Sequence, residues 1–166
     1  MIKADNTIIT INLARQRLQL RRREQVLMDV AVSTATNGAG EQQGSECTPR
    51  GVHRVRAKIG AGCVINTVFR GRRPTGEVYD AKLAQQFPGR DWILSRILWL
   101  CGMEPGRNRL GDVDTMRRYI YIHGTPDHVM LGQPGSHGCI RMANADVMRL
   151  FDLVDVGTRV EISDED

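Results

Sequence analysis

The chain has 166 residues, which suits one domain large enough to bury a sizeable core. Its hydrophobic share of 41% and charged share of 25% are ordinary for a globular protein, and no window approaches the roughly 20 apolar residues of a membrane span. The net charge of +4 is mild for a nucleic-acid-binding protein. The two basic runs, Arg21–Arg23 and Arg70–Arg73, lack interleaved aromatic residues, so we interpret them as solvated turns and expect no nucleic-acid partner.

The N-terminal stretch shows no targeting segment. Polar residues interrupt every apolar pair between Met1 and Leu20, whereas a secretory signal needs an apolar run after a basic start. No lipidation signal is recognisable either. We therefore expect a cytoplasmic protein that contacts no membrane, or a periplasmic one if a signal has been removed.

The first third of the chain is predicted to be rich in strands, because apolar and polar residues alternate with a period of two. A loop is predicted at Asn37–Ser45 and a turn at Thr48–Gly51. The predicted strands are Ile9–Leu13, Leu18–Leu20, Val26–Val32 and His53–Ile59. Such a series is typical of a mainly β domain with a few helices, built as a sandwich or barrel-like fold.

The middle of the chain, Gly71–Arg118, has no sustained alternation, and we expect a variable insertion that covers a cleft. One helix is predicted inside it, because the apolar run from Trp92 to Leu100 follows a suitable N-cap at Asp91. Gly102 and Pro105 are typical signals for its end.

The last third returns to strands. Tyr119–Ile122 is predicted to be a strand that ends at His123, and Val129–Leu131 another short one. A helix is predicted to begin at its cap Asn144 and to reach Val154, and a final strand is predicted over Thr158–Ile162. With no repeat or linker, residues 1–166 are predicted to form a single domain.

The cysteines do not predict a metal site. None of the four forms a C-x-x-C pair, and a cytoplasmic chain is expected to hold them reduced. We interpret Cys63 and Cys101 as small buried hydrophobic residues, and we assign no role to Cys47. We expect neither a metal nor another cofactor.

Cys139 is the candidate nucleophile. Three of the four histidines, His123, His128 and His137, lie close together in the sequence, and an imidazole near a thiol can lower the pKa of the thiol into the working range. We assign the base to His123, because the end of a strand is a rigid mount, and a supporting role to His137. The backbone carbonyl of Gly124 is expected to orient the base. His53 and His128 are expected to have ordinary structural roles.

The segment Ser136–Met142 surrounds this cysteine. Gly138 permits a sharp turn, and successive N–H groups of Gly138 and Cys139 are predicted to form an oxyanion hole. Arg141 suits a substrate carboxylate, and Ser136 is a second candidate for contact with the substrate.

These motifs resemble the L,D-transpeptidase family of the YkuD type. In that family a His-Gly element precedes a [Ser/Thr]-His-Gly-Cys element, as HGT at 123–125 precedes SHGCIRM at 136–142 here. The turn Thr48–Gly51 and the helix start at Asn144 also match. Many members carry Asn where this chain has Arg141, although Arg is also familiar there. The resemblance implies that Cys139 is the nucleophile and His123 the base.

The resemblance implies action on the L,D-peptide bond of peptidoglycan tetrapeptide stems. The expected outcome is L,D-carboxypeptidase activity, with release of terminal D-Ala from soluble muropeptides or precursors in the cytoplasm during recycling. A periplasmic transpeptidase that forms cross-links is the alternative within the family. A basic binding module without catalysis is the alternative of another class.

Overall fold

A computed structural model of the chain describes residues 6–166. Residues 1–5 lie outside that range; they are the first part of the N-terminal stretch in which no secretory signal is predicted. Residues 6–166 form strands, two α-helices and one 3-10 turn. The strands are β1 Thr7–Asn12, β2 Arg17–Arg22, β3 Gln25–Ala31, β4 Gly51–Ile59, β5 Thr67–Arg70, β6 Arg73–Val78, β7 Ile93–Gly102, β8 Tyr121–Thr125, β9 Ile140–Ala143 and β10 Arg159–Ser163. The helices are α1 Ala81–Gln86 and α2 Asn144–Leu153, and the 3-10 turn is Gly111–Val113.

The strands form one curled, mixed sheet, which confirms the predicted mainly β fold with few helices. Its order is β3-β2-β1-β10-β4-β7-β5-β6, with β8 paired to β7 and β9 paired to β8. Most pairs are antiparallel, but β1 runs parallel to β10 and β8 runs parallel to β9. Because Leu94 of β7 pairs with both β5 and β8, those two strands lie on opposite edges of β7.

The main core lies between the inner face of the sheet and α2. Alternate residues of the strands point inward, as the period of two predicts, and Ile9 and Ile11 of β1 are fully buried. Helix α2 adds Val147, Leu150 and Phe151 from one face. The four N-terminal strands predicted from alternation are thereby confirmed. No helix within residues 6–166 is long and apolar enough to cross a membrane.

The helix predicted over Trp92–Leu100 is wrong, because this segment is β7. The strand pairs with β4 on one edge and with β8 on the other, and apolar side chains cover both of its faces. A central strand buried on both faces is apolar at nearly every position, so it lacks the alternation that identifies a half-exposed strand. The expected insertion at Gly71–Arg118 is therefore wrong in this part, since β7 belongs to the centre of the sheet.

Three smaller predictions also differ from the structure. Residues Val129–Leu131 form no strand, and β8 continues past His123 to Thr125. The N-cap of α2 is Ala143 and makes no side-chain cap, whereas Asn144 is buried and uses its amide elsewhere. Asn144 Oδ1 accepts from Ser95 Oγ at 2.6 Å and its Nδ2 donates to the Thr125 carbonyl at 2.8 Å.

Candidate active site

Strands β8 and β9 place the predicted histidine and cysteine on one face of the sheet. Their parallel register sets Ile122 opposite Ile140 and His123 opposite Arg141. Both isoleucines are fully buried in the main core. Since successive side chains of a strand point to opposite faces, His123 and Arg141 project from the other face, as does Cys139 immediately before β9.

His123 is buried and has a fixed tautomer. Its Nδ1 lies 2.7 Å from the Gly124 carbonyl oxygen, which can only accept, so Nδ1 carries the proton and Nε2 of the neutral ring has a free lone pair. Burial lowers the pKa of His123, an effect opposed by the hydrogen bond to Gly124. The geometry expected for the Gly124 carbonyl is therefore present, with His123 in mid-strand rather than at a strand end.

Gly124 has no room for a side chain. A Cβ atom there would lie 2.4 Å from Asn144 Oδ1 and 2.5 Å from the Leu94 carbonyl oxygen. The close approach of β7 and α2 to this point therefore requires glycine. Asn144 and Ser95 hold that approach in place, and sequence reasoning missed this role because both residues resemble ordinary cap or turn residues.

The Cys139 thiol is held by the segment before and at the start of β8. It lies 3.4 Å from the Tyr119 carbonyl, to which it donates, and its Sγ accepts from the Tyr121 backbone N–H at 3.3 Å. Tyr119 has a positive φ of 57°, which is uncommon for a non-glycine residue. Burial raises the pKa of the Cys139 thiol to about 12, against the smaller opposing effect of the Tyr121 N–H. The lowered thiol pKa expected from the sequence is therefore wrong for the free protein.

The turn before Cys139 is closed by Ser136. The Ser136 hydroxyl donates to the Cys139 carbonyl at 2.6 Å and accepts from the Gly138 N–H at 3.2 Å. The outward-pointing Gly138 N–H expected for an oxyanion hole is therefore wrong, because that group is used inside the turn. The contact with substrate expected of Ser136 does not fit either, because Ser136 is buried. Within residues 6–166 the backbone N–H of Cys139 donates to no other group.

The segment Thr48–Gly51 packs against the cysteine turn; it forms no turn, in contrast to the prediction, and leads directly into β4. Thr48 is fully buried, and its hydroxyl donates to the Gly138 carbonyl at 2.9 Å while accepting from the Ala35 N–H at 3.0 Å. Gly138 has a φ of +133°, and a Cβ atom there would lie 3.2 Å from the Cys47 carbonyl oxygen. The Thr48–Gly51 segment and the cysteine turn therefore pack together directly.

Arg141 and His137 line a groove of about 330 Å³, which we call the Arg141 groove. Arg141 donates to the Gly135 carbonyl at 2.9 Å and pairs with Asp91 Oδ1 at 3.0 Å. His137 is exposed in this groove and makes no hydrogen bond to the thiol. Trp92 and His128 form further parts of the wall.

An aromatic cluster beside the thiol was missed by sequence reasoning. Arg72, in the turn between β5 and β6, has its guanidinium 4.9 Å from the ring centre of Trp99 and 4.8 Å from that of Tyr119. It also donates to the Tyr121 hydroxyl at 3.0 Å. Trp99 and Cys139 both pack against the hydrophobic cluster that contains Tyr121. The signal in the sequence was the aromatic spacing of Tyr119 and Tyr121, whose backbone groups also hold Cys139.

The two basic runs do not form one surface. Arg21–Arg23 lies at the turn between β2 and β3, and Arg70–Arg73 at the turn between β5 and β6. These strand pairs occupy opposite ends of the sheet order. The prediction of solvated turns is only partly correct, because most arginines of these runs belong to the flanking strands. In addition, Arg72 is packed on aromatic rings rather than solvated.

The remaining cysteines and His53 make no hydrogen bond to Cys139 or to the His123 ring within residues 6–166. All four cysteines are free; Cys101 is buried and Cys63 is half-buried. His53 is fully buried between the Gly51 carbonyl at 3.1 Å and Thr115 Oγ1 at 3.0 Å, and burial lowers its pKa to about 4. Among residues 6–166, no three His, Cys, Asp or Glu side chains are grouped as metal ligands.

A family model matches nearly the whole chain, whereas individual curated proteins match about 29% of it. Residues 6–162 match the family of YkuD L,D-transpeptidase catalytic domains. A probable L,D-transpeptidase, YbiS of Escherichia coli K12, is 48% identical over 48 residues, which cover 29% of this chain and 16% of that protein. A putative L,D-transpeptidase, YqjB of Bacillus subtilis, is 49% identical over 48 residues, covering 29% of this chain and 27% of that protein.

Solved structures share the fold. An L,D-transpeptidase from Mycobacterium smegmatis superposes with a TM-score of 0.60 at 16% identity, covering 95% of this chain and 58% of that one. L,D-transpeptidase 3 from Mycobacterium tuberculosis gives a TM-score of 0.57 at 14% identity, covering 96% of this chain and 61% of that one. This chain therefore spans less than two thirds of the length of each of these relatives.

Proposed function

Because the chain belongs to the YkuD family of L,D-transpeptidase catalytic domains, we propose that it is a cysteine-dependent acyl-transfer enzyme acting on the L,D-peptide bond of peptidoglycan tetrapeptide stems. The observation that carries this proposal is the shared face of His123 and Cys139. His123 presents an unprotonated Nε2 because its Nδ1 is committed to the Gly124 carbonyl.

The reaction begins from a neutral pair. Burial favours the thiol form of Cys139 and the neutral form of His123. Nε2 of His123 takes the thiol proton as sulfur attacks the carbonyl of the diamino acid. The imidazolium then gives that proton to the departing amine of D-Ala, which leaves a thioester on Cys139.

The oxyanion formed during attack needs a donor. The backbone N–H of Cys139 has no other acceptor within residues 6–166, so it is the donor we assign to that role. Ser136 acts by shaping the turn that aims this group. Arg141 is assigned to a carboxylate of the substrate, with the exposed His137 lining the same groove.

Water is the acceptor that we propose for the thioester. Arg72 lies over Trp99 and Tyr119, next to the residues that hold the thiol, and we propose that it limits the space for a second stem on this side. A narrow side favours water over the amine of a second stem. The products are then a tripeptide stem and D-Ala, as in an L,D-carboxypeptidase of muropeptide recycling. A cytoplasmic location stays a prediction, for which fractionation of the native host cells is the measurement.

The test is a product census by mass spectrometry after incubation with a disaccharide-tetrapeptide. We expect mainly disaccharide-tripeptide and free D-Ala. Cys139→Ala should remove turnover without unfolding the protein, and Cys63→Ala is the matched thiol control. More than trace turnover by Cys139→Ala would contradict the nucleophile, whereas mainly cross-linked dimer from the wild-type chain would make transpeptidation the reaction.

A further inference from the structure

A second groove lies on the same face of the sheet as Cys139, beyond Trp99. It has a volume of about 310 Å³, and four arginines line it. We call it the arginine groove; its charged lining is Arg54, Arg56, Arg109, Arg117 and Asp114. All four arginines are exposed.

The positive charge of this groove is not neutralised locally. None of the four arginines forms an ion pair with a carboxylate within residues 6–166. Asp114 is buried, and its two carboxylate oxygens accept from the backbone N–H groups of Leu110 at 2.7 Å and Arg117 at 3.0 Å. Four arginines against one aspartate leave +3 on the lining, most of the net charge of +4 on the whole chain.

Strand pairing connects this groove to the thiol. Arg54 of β4 is opposite Cys101 of β7, and Trp99, two residues from Cys101, is opposite Tyr121 of β8. Strand spacings of about 4.8 Å and a rise of about 3.3 Å per residue put the backbone of Cys101 roughly 12 Å from that of Cys139. Trp99 forms the boundary, since its Nε1 donates at 3.1 Å to the carbonyl of Met116, which also lines the groove.

We propose that the arginine groove binds the pyrophosphate group of a ligand. Like-charged side chains around one cavity repel each other, and a ligand with at least two negative charges removes that repulsion. Guanidinium groups match phosphate oxygens in paired hydrogen bonds, and a single carboxylate would leave most of the charge unbalanced. This inference does not depend on the proposed peptidase activity, because it needs no turnover.

Calorimetric titration with inorganic pyrophosphate tests the site directly. We expect binding that weakens steeply as salt is added. Arg56→Gln combined with Arg117→Gln should weaken it by about a hundredfold, because each of the two lost contacts to a charged group is worth about tenfold in affinity, or about 1.4 kcal/mol. Neither side chain makes a hydrogen bond within residues 6–166, so the variant should fold. Arg21→Gln combined with Arg23→Gln removes the same charge elsewhere and should leave affinity unchanged.

Two further probes identify the source of the pyrophosphate. Binding of uridine diphosphate in solution would indicate a nucleotide-linked ligand. Retention on phosphatidylcholine vesicles only when they contain a polyprenyl pyrophosphate would indicate a lipid-linked one. Absence of pyrophosphate binding, or equal loss in the control variant, would overturn the proposal. Either result leaves the peptidase assignment standing, because that assignment is decided by the product census.

Discussion

Cys139 and His123 lie where burial disfavours charge on either group. For a general base this has a definite pH consequence: His123 must be neutral, and its pKa lies below the ordinary 6.5. We expect kcat/KM to stay constant as the pH falls from 8 through 6.5, and to decline only at lower pH. The measurement is the pH profile of D-Ala release.

The reactivity of the Cys139 thiol, whose pKa is raised, gives a second measurement of the same neutral pair. The Cys139 side chain is half-buried, and a thiol with a pKa of about 12 is protonated at neutral pH, so alkylation by iodoacetamide should be slow in the free enzyme. Rapid loss of the Cys139 thiol at pH 6 would instead indicate a resting thiolate and imidazolium pair. That outcome would contradict the neutral starting state.

Replacement of Arg141 and replacement of Asp91 should have opposite effects on substrate binding. If Arg141 binds a substrate carboxylate, Asp91 competes with that carboxylate for the same guanidinium group. Arg141→Ala should therefore lower kcat/KM by a factor that corresponds to a loss of about 1.5–3 kcal/mol of transition-state stabilisation. Asp91→Asn should instead lower KM. Steady-state kinetics on the disaccharide-tetrapeptide gives both values. A rise in KM in both variants would show that the ion pair serves the fold instead.

At the scale of single elements, the turn between β5 and β6 offers a test of the choice of acceptor. Arg72 holds this turn against Trp99 and Tyr119, so Arg72→Ala should widen the cleft beside the thiol. The loss of its ring contacts should cost about 0.5–2 kcal/mol of unfolding free energy. We expect the share of cross-linked dimer among the products to rise.

Arg73→Ala is the matched control for that variant, since Arg73 is the next residue, at the start of β6, and is exposed. It should change neither the product ratio nor the stability. An unchanged product ratio in Arg72→Ala would show that this turn does not limit access to the thioester.

Strand β7 shows why part of the fold could not be predicted from the sequence. The half-exposed strands β1 to β4 carry an alternating pattern because one face meets solvent and the other the core. Strand β7 is covered on both faces, so its apolar run carries no period, and the cap and stop residues around it favoured a helix. Only the neighbours supplied by folding, β4, β5 and β8, decide between the two.

The part of the candidate site that consists of short sequence motifs could be predicted from the sequence. The order of His123, Gly124 and Cys139 was sufficient to predict the hydrogen bond between His123 and the Gly124 carbonyl, which the structure contains. The catalytic roles of Cys139 and His123 stay a prediction. The roles of Tyr119, Arg72 and Asp91 were not predictable, because each depends on long-range packing. The same is true of Ser136, whose hydroxyl turns inward to close the loop.

At the scale of the whole molecule, His53 links stability to pH. Its pKa of about 4 in the folded state lies below the 6.5 of the unfolded chain, so the unfolded chain binds the proton more tightly. Stability is therefore complete above pH 6.5 and falls as the pH drops toward 4. The expected loss is about 3 kcal/mol, since one pKa unit corresponds to about 1.4 kcal/mol.

Urea unfolding at pH 7 and pH 4.5 measures this dependence. The lowered pKa of His123 acts in the same direction, so His53→Gln should reduce the pH dependence without removing it. His128→Gln should keep the full dependence. An unaltered slope in His53→Gln would show that other groups carry the acid sensitivity.

The position of β10 also affects how the chain folds. Within residues 6–166 this last strand lies between β1 and β4, and it is the only strand there that joins β1, β2 and β3 to the rest of the sheet. Its register pairs Ile9 with Val160, residues about 150 positions apart, so the loop that closes between them is nearly as long as the chain. Contacts between residues so far apart in sequence slow folding, because the entropy of loop closure is lost before the contacts stabilise the fold. The early hairpins can form quickly, but their exposed edge finds no partner until β10 inserts, and that interval is when the chain is most open to pairing with another copy.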